Sequence, residues 1–501
     1  MHLNIEKLRT AAKRLKKAFH ADDAQAVERL RAVVAEPKAP RHADFLHVVA
    51  REHGFESWPK LKFAVEAAQM TREQRIDRLI RAVYFGQNWV VANLLNEDPT
   101  LPNDDLRLQI ALYDHQAVAQ AVSASPAVAT TAIGPRTPIL HLAYSQHIHM
   151  APEKRQAMLE IADLLVQHGA DVNDGFAPDP EAGHRLSALY GALGHANNLA
   201  LAEWLLDHGA TPDDHESLYH ATELGHHDGL KLLMKHGVNT RGTNALLRAM
   251  DFDDAEAVRL LLTYGADPNE TVTGHPSEQP VDRIPALHQA ARRWCSAEIA
   301  DLLLDHNAEP LATWQGHTPF AMATIYGNSE VAQRLSDRGY ATPLSRTEQI
   351  LAQCAQGIAP TAPLDLASLH VEDRRLLTRL AATPSALAHI QALIAAGLDP
   401  DEPDEMGVTP LHAAGWQGLP DYVAYFLSLD PDLTYENAYG GDALGTAIHG
   451  SEFCPDAGER DHISCARLLL EAGAQLNRND VEGCGNEDMV LFLDGWTIST
   501  G

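Results

Sequence analysis

Cysteine is scarce in this chain. Cys295, Cys354, Cys454, Cys465 and Cys484 are the five cysteines in 501 residues, and no two of them form a CxxC pair. That argues against a disulfide framework and a structural zinc site, and for a reducing compartment. Aromatic residues make up only 6 % of the chain, so small and aliphatic side chains must do most of the packing, which suits close-stacked helices better than strands. Cations are also in short supply, with 39 Lys and Arg against 68 Asp and Glu and a formal net charge of −29. A surface of that sign lacks the clustered cations that nucleic-acid binding over the whole molecule requires. No apolar run reaches transmembrane length, and the amino terminus is charged where a signal peptide has an apolar core. The expectation is a soluble, cytoplasmic protein.

What the chain has is a recurring phrase, two leucines followed by two spacers and a small turn. It reads Leu164-Leu165-Val166-Gln167-His168-Gly169-Ala170, Leu205-Leu206-Asp207-His208-Gly209-Ala210, Leu232-Leu233-Met234-Lys235-His236-Gly237, Leu261-Leu262-Thr263-Tyr264-Gly265-Ala266 and Leu469-Leu470-Glu471-Ala472-Gly473-Ala474. Repetition at this period means one supersecondary unit stacked many times, an architecture that offers long binding surfaces more readily than catalytic pockets. Residues 1–66 stand outside the pattern. Ile5, Leu8, Ala12, Leu15 and Phe19 lie at helical spacing, with Lys7, Arg9, Lys13, Arg14, Lys16 and Lys17 mainly on the other face. Phe45 to Ala50 continues as helix towards Gly54, and Ser57-Trp58-Pro59 reads as the capped start of another. This block is expected to be a helical module covering the first repeat.

Thr318-Pro319-Phe320-Ala321-Met322-Ala323-Thr324-Ile325-Tyr326-Gly327 and Thr409-Pro410-Leu411-His412-Ala413-Ala414-Gly415-Trp416-Gln417-Gly418 resemble the ankyrin pattern, over roughly residues 72–478. The resemblance implies an all-α ankyrin-repeat solenoid of helix-turn-helix units joined by short β-hairpin loops, nine or ten in number. The domains expected are 1–66 (helical module with a basic first helix), 67–134 (degenerate repeats), 135–340 (repeats), 341–400 (a degenerate repeat) and 401–501 (carboxyl-terminal repeats and cap). Asn197 and Asn307 stand where the pattern has turn glycines, and Trp294 replaces another. From Gly209 to Gly237 and from Gly237 to Gly265 the step is 28 residues, short of the usual ~33, so those units should lose most of their finger. The insertions near 175–183 and 271–282 account for longer steps. Arg51 to Leu61 and Tyr439 to Ser451 are further similar to the leader and last repeats of bacterial ankyrin proteins, which implies a bacterial source.

The 27 histidines invite a metal reading, but no ligand set has zinc-type spacing. The ankyrin pattern itself accounts for His141, His288 and His412, which it places against loop backbone. His226 occupies a second position of the pattern, and His168, His208, His236 and His306 sit at helix C-termini, where an imidazole is favourable. His215-Glu216 with His220 fails the H-E-x-x-H spacing, and Tyr219 fills the required position. His449-Gly450-Ser451 could pair a base with a nucleophile, yet neighbours on a helix do not face each other, so a loop turn is expected there.

The expected function is therefore non-catalytic binding of a protein partner, with no cofactor, no metal, no membrane and a monomeric state. By the resemblance, ankyrin proteins bind through fingertips and the ends of first helices. Those positions carry Arg292, Arg293, Trp294, Trp314, Gln315, Tyr326, Trp416, Gln417, Tyr435 and Tyr439, and Trp, Tyr and Arg are the side chains that anchor interfaces. The alternative is a peptide- or small-molecule-modifying enzyme with its pocket in the loops near 271–282 and 451–461. Contact of the basic first helix with acidic lipid, RNA or an acidic partner is a third reading, against which a solvated face is preferred.

Overall fold

The computed structural model describes residues 4–34, 40, 42–178, 184–271, 283–476, 484–486, 488–490, 492–493 and 496. The chain divides into two compact units, a mid-chain unit (70–324 and 328–342) and a terminal unit (1–69, 325–327 and 343–501).

The mid-chain unit is built from two rows of helices. In the first row, Arg72–Tyr84, Leu106–Ala111, Pro138–Ala143, the helical stretch 188–195, Ser217–Ala221, Ala245–Asp251 and Ala286–Arg292 each pack on the next. In the second row, His115–Ala124, Arg155–Gln167, Leu199–Asp207, Asp228–Lys235, Ala255–Thr263, Ala297–Asp305 and Ser329–Asp337 do the same. One apolar cluster runs through the stack from Ile110 to Ala308. The fold is an all-α ankyrin-repeat solenoid, with Gly175–Phe176 and Leu186–Ser187 forming a two-residue antiparallel ladder.

The recurring phrase has one structural meaning. The leucine four places before the closing turn residue (Leu165, Leu205, Leu233, Leu261 and Leu303 here) is 0 % exposed in every copy. Its carbonyl also accepts the N–H of the residue after the turn, from Ala170 at 3.0 Å, Ala210 at 2.9 Å, Val238 at 3.2 Å, Ala266 at 3.0 Å and Ala308 at 2.9 Å. That is the 6→1 bond of a Schellman cap, which needs a left-handed residue between the partners. Glycine supplies it at Gly169, Gly209, Gly237 and Gly265, and Asn307 does so at φ 65°. Asn197 at φ 47° and Trp294 at φ 53° take the same conformation after first-row helices. Side chains then tie one repeat to the next. Asn173 Nδ2 donates to Gly209 O and its Oδ1 accepts from Thr211 N, while Asn269 bonds Asn307 O and Glu309 N in the same way. In the two short units the next first-row helix begins soon after the turn, Ser217 after Gly209 and Ala245 after Gly237.

In the terminal unit, Ile5–His20, Ala24–Arg31, His42–Glu52 and Trp58–Ala67 surround a core of Leu8, Leu15, Leu30, Phe45, Val49 and Leu61. Helix Ala24–Arg31 escapes a periodicity reading because it is short; Asp23 caps it by accepting from Ala26 N. Further along, Leu376–Ala381 packs on Pro410–Trp416, which packs on Ala443–Phe453, and Pro420–Leu427 packs on His462–Glu471. The expected turn at His449-Gly450-Ser451 is corrected. The helix runs unbroken to Phe453, and Ser451 Oγ donates to its own helix at Ile448 O (2.6 Å). Gly450 permits this, because a Cβ there would lie 2.3 Å from Trp416 O.

Two outcomes are expected. Gly450→Ala should lower stability by about 1–3 kcal/mol through overpacking, read as a lower urea midpoint, whereas Gly458→Ala, with open space around it, should leave the midpoint in place. His288 is fully buried, donates Nε2 to His317 O at 3.0 Å, and has its pKa pushed down to about 4 by burial. The unfolded chain takes up that proton near pH 6.5, so the contribution of His288 is intact above pH 6.5 and declines as pH falls towards 4. The loss of urea midpoint between pH 7.5 and 5 should accordingly be smaller in His288→Gln than in the unmodified protein.

Candidate functional surface

Several first-row helices of the mid-chain unit end in, or are followed at once by, large polar or aromatic side chains, among them Tyr84, Tyr144, Asp251 and Arg292. At one end the side chains form a cage. The Tyr84 and Tyr144 rings lie parallel, with centroids 5.8 Å apart and planes 8° from parallel, and Phe176 stands edge-on to Tyr144 at 5.3 Å. The Arg136 guanidinium sits 4.3 Å from the Tyr84 centroid, 5.1 Å from Tyr144 and 4.4 Å from Phe176. Hydrogen bonds hold the walls in place. Tyr84 O accepts from His195 Nε2 at 2.8 Å and Gln146 Nε2 at 3.1 Å, and Tyr144 Oη donates to Ser187 O at 3.0 Å. Burial raises the Tyr144 phenol far above its ordinary range and lowers the Arg136 pKa.

Next along the row lies a chain of alternating charges. Glu216, 2 % exposed, meets His184 and His220 Nε2, the latter at 3.0 Å. His220 Nδ1 reaches Glu223 at 2.7 Å, Glu223 pairs with Arg248 at 2.7 Å, and Asp251 takes Arg248 at 3.3 Å and Arg293 at 2.9 Å. Burial of His220 works against its charged form, but the hydrogen bonds it donates to Glu216 and Glu223 outweigh it and push the pKa up to about 9. The Arg248 guanidinium covers Phe252 at 4.6 Å and Tyr219 at 5.5 Å. Three successive repeats are thereby linked across their first helices.

The ten residues expected from the sequence fall in both units. In the mid-chain unit, Arg293 is exposed, and Gln315 is exposed at a fingertip with φ 48°. Trp294 is half-buried, as is Trp314, whose indole donates to Arg283 O at 2.7 Å. Arg292 is corrected as a surface anchor. It is 2 % exposed, its guanidinium is bonded to Gln289 Oε1 at 2.7 Å and it lies over Trp314. In the terminal unit Tyr326 is likewise corrected, being 3 % exposed with its hydroxyl donated to Glu372 at 2.9 Å. Trp416 and Gln417 are half-buried, the former against His449, while Tyr435 and Tyr439 are exposed. Sequence patterns alone did not single out Tyr84, Arg136, Tyr144 and Arg248, and weighed His220 only as part of a failed metal motif. A signal for the tyrosines was present, since Tyr84 and Tyr144 end first helices in less regular copies of the repeat.

Several other histidines serve structure. His141 bonds Ile133 O at 2.9 Å, His412 bonds Thr409 Oγ1 at 2.7 Å, and His168, His208 and His306 donate to carbonyls four residues back in their own helices. Among the described residues, no group of three or more His, Cys, Asp or Glu is arranged to hold a metal. No described helix is long and apolar enough to cross a membrane. The loop 272–282 lies outside the described residues, and 451–461 is the end of a helix followed by the short turn Ala457–Glu459. A cavity of about 220 Å³ lies elsewhere, lined by Val172, Gly175, Arg185, Ser187, Thr211 and Asp214. Its carboxylate is committed to the fold, because Asp214 accepts from Ser187 Oγ at 2.5 Å, Ser217 Oγ at 2.7 Å and Ser217 N at 2.7 Å.

Comparison with known proteins agrees with this architecture. The family model described as ankyrin repeats (3 copies) matches residues 188–272. The chain is 34% identical over 102 residues to ankyrin repeat and SOCS box protein 16 of Mus musculus, covering 18% of this chain and 22% of that protein. It is 26% identical over 252 residues to ankyrin repeat and MYND domain-containing protein 1 of Homo sapiens (45% and 24%). It is 32% identical over 99 residues to palmitoyltransferase Hip14 of Drosophila melanogaster (20% and 14%). The matches thus span less than a quarter of each of these relatives. All three are animal proteins, so they lend no support to the bacterial source that the leader resemblance implies. Ankyrin repeats in general are protein-interaction modules. With the repeated capped helix pairs, their two stacked rows and these matches together, the chain is an ankyrin-repeat domain-containing protein.

Proposed function

We propose that this chain is a non-catalytic scaffold that binds a partner protein along the first-helix row of its mid-chain unit. The observation that carries the reading is the charge chain Glu216–His220–Glu223–Arg248–Asp251–Arg293 with Phe252 beside it, 43 % exposed under the Arg248 guanidinium. These side chains are fixed by one another before any partner arrives, so little rotamer entropy remains to be lost on binding. Arg and aromatic groups held in this way are the residue types that dominate interface energies. A partner patch of neutral or positive charge suits a chain of net charge −29. Trp416, Tyr435 and Tyr439 offer a second, smaller surface on the terminal unit. A cytoplasmic location and a monomeric state complete the reading. The first draws support from the free thiols of all five cysteines. Binding is favoured over catalysis because Asp214, the carboxylate lining the cavity, already accepts hydrogen bonds from Ser187 and Ser217.

The test is affinity capture from the native host followed by quantitative mass spectrometry. Phe252→Ser combined with Arg248→Ala should weaken retention of the specific partner at least tenfold, about 1.4 kcal/mol or more. Lys235→Ala, which removes an exposed pair with Glu203 on the second row, should leave retention unchanged. Equal capture by both variants would show that the surface is wrongly chosen.

A further inference from the structure

The arginines of the mid-chain unit are mostly spoken for. Arg72 pairs with Asp98 and Asp104, Arg107 with Asp105 and Asp77, Arg248 with Glu223, Arg259 with Glu298, and Arg338 with Asp301 and Asp305. Arg136 differs. Its half-buried guanidinium is walled by Tyr84, Tyr144 and Phe176, and its buried Nε has no hydrogen-bond partner among the described residues. Aromatic faces stabilise a cation there, and the Tyr84 hydroxyl accepts from the guanidinium, but a neutral phenol neither carries the charge nor offers the two-oxygen fork of a carboxylate. A guanidinium lifted out of water and left without an anion is a site that gains from receiving one, since charge-assisted bidentate bonds are the strong class of hydrogen bond.

The cage is also built in advance. The two hydrogen bonds on Tyr84 O and the one from Tyr144 Oη fix the rings, and the bridge between Ile133 and Arg136 fixes the backbone that carries the guanidinium. Its position, between a fingertip and the ends of first-row helices, lies on the row proposed above to face the partner.

We propose that Tyr84, Arg136, Tyr144 and Phe176 form a carboxylate-binding subsite that seats one Asp or Glu side chain of the partner, flanked by neutral or basic residues. The flanking charge follows from the acidity of the whole chain, which repels an extended acidic segment while one carboxylate can still be taken by one arginine. The rings supply apolar surface to the methylene groups of that side chain and keep water from competing for the guanidinium. This inference rests on the reading of the first-helix row as a partner surface, but its test uses different residues and a different readout.

The capped peptide Ac-Lys-Leu-Glu-Leu-Lys-NH2, the same peptide with Gln in place of Glu, and inorganic phosphate are each titrated into the full chain. Binding is followed through the Arg136 Nε–Hε resonance, assigned by its loss in Arg136→Lys. The Glu peptide should bind at least tenfold more tightly than the Gln peptide, and Phe176→Leu should weaken it severalfold with the far-UV spectrum preserved. Equal affinity for the two peptides would overturn the assignment, and the unmodified chain alone decides that point. So would a preference for phosphate over the Glu peptide at equal concentration. A partner still captured through Phe252 and Arg248 would leave the broader function standing.

Discussion

No helix pair in this chain can bury its apolar face alone, and the rest of the structure depends on how that is resolved. The resolution is a single leucine used twice. Leu165, Leu205, Leu233, Leu261, Leu303, Leu335, Leu393 and Leu469 are all 0 % exposed, and each offers its carbonyl to close the turn that ends its own helix. Burying the side chain therefore sets where the helix stops, and the turn sets where the next helix pair begins. Because each repeat draws its burial from its neighbours, stability belongs to the stack and not to any unit in it.

That arrangement decides where recognition can occur. The second-row helices spend their leucines and their capping turns on stacking. Most first-row helices are short, five residues in Ser217–Ala221 and seven in Ala245–Asp251, and around their ends stand bulky polar and aromatic groups that the core does not need. The Arg136 cage takes two walls, Tyr84 and Tyr144, from such ends, and most of the charge chain from Glu216 to Arg293 runs along them. A stack with little freedom to shift holds them in register over several repeats, so side chains far apart in sequence act as one surface.

Much of this was legible from the sequence, and the part that was not has a physical cause. The leucine-and-turn phrase located the helix pairs, and Asn197, Asn307 and Trp294 were rightly expected in turn positions, where the chain must enter left-handed backbone to leave a helix. The surface was harder to read. Arg292 and Tyr326 have the composition of anchors, yet Gln289 and Glu372 draw them inward, and pairing across tens of residues leaves no local trace. Arg136 was overlooked for the opposite reason, since its cage draws Tyr84 from one repeat and Phe176 from another. Gly450 looked like a turn because glycine often is one; here it is a point of close approach to Trp416 O.

The central claim is that a partner lies on the first-helix row and not on the second. The most direct measurement places a photo-reactive benzophenone side chain at position 252 or at position 231, which is exposed on the second-row helix Asp228–Lys235, and irradiates each protein in its native host. The account predicts a discrete cross-linked protein from position 252 and none from position 231. A cross-link from position 231 alone, or from neither position, would contradict it.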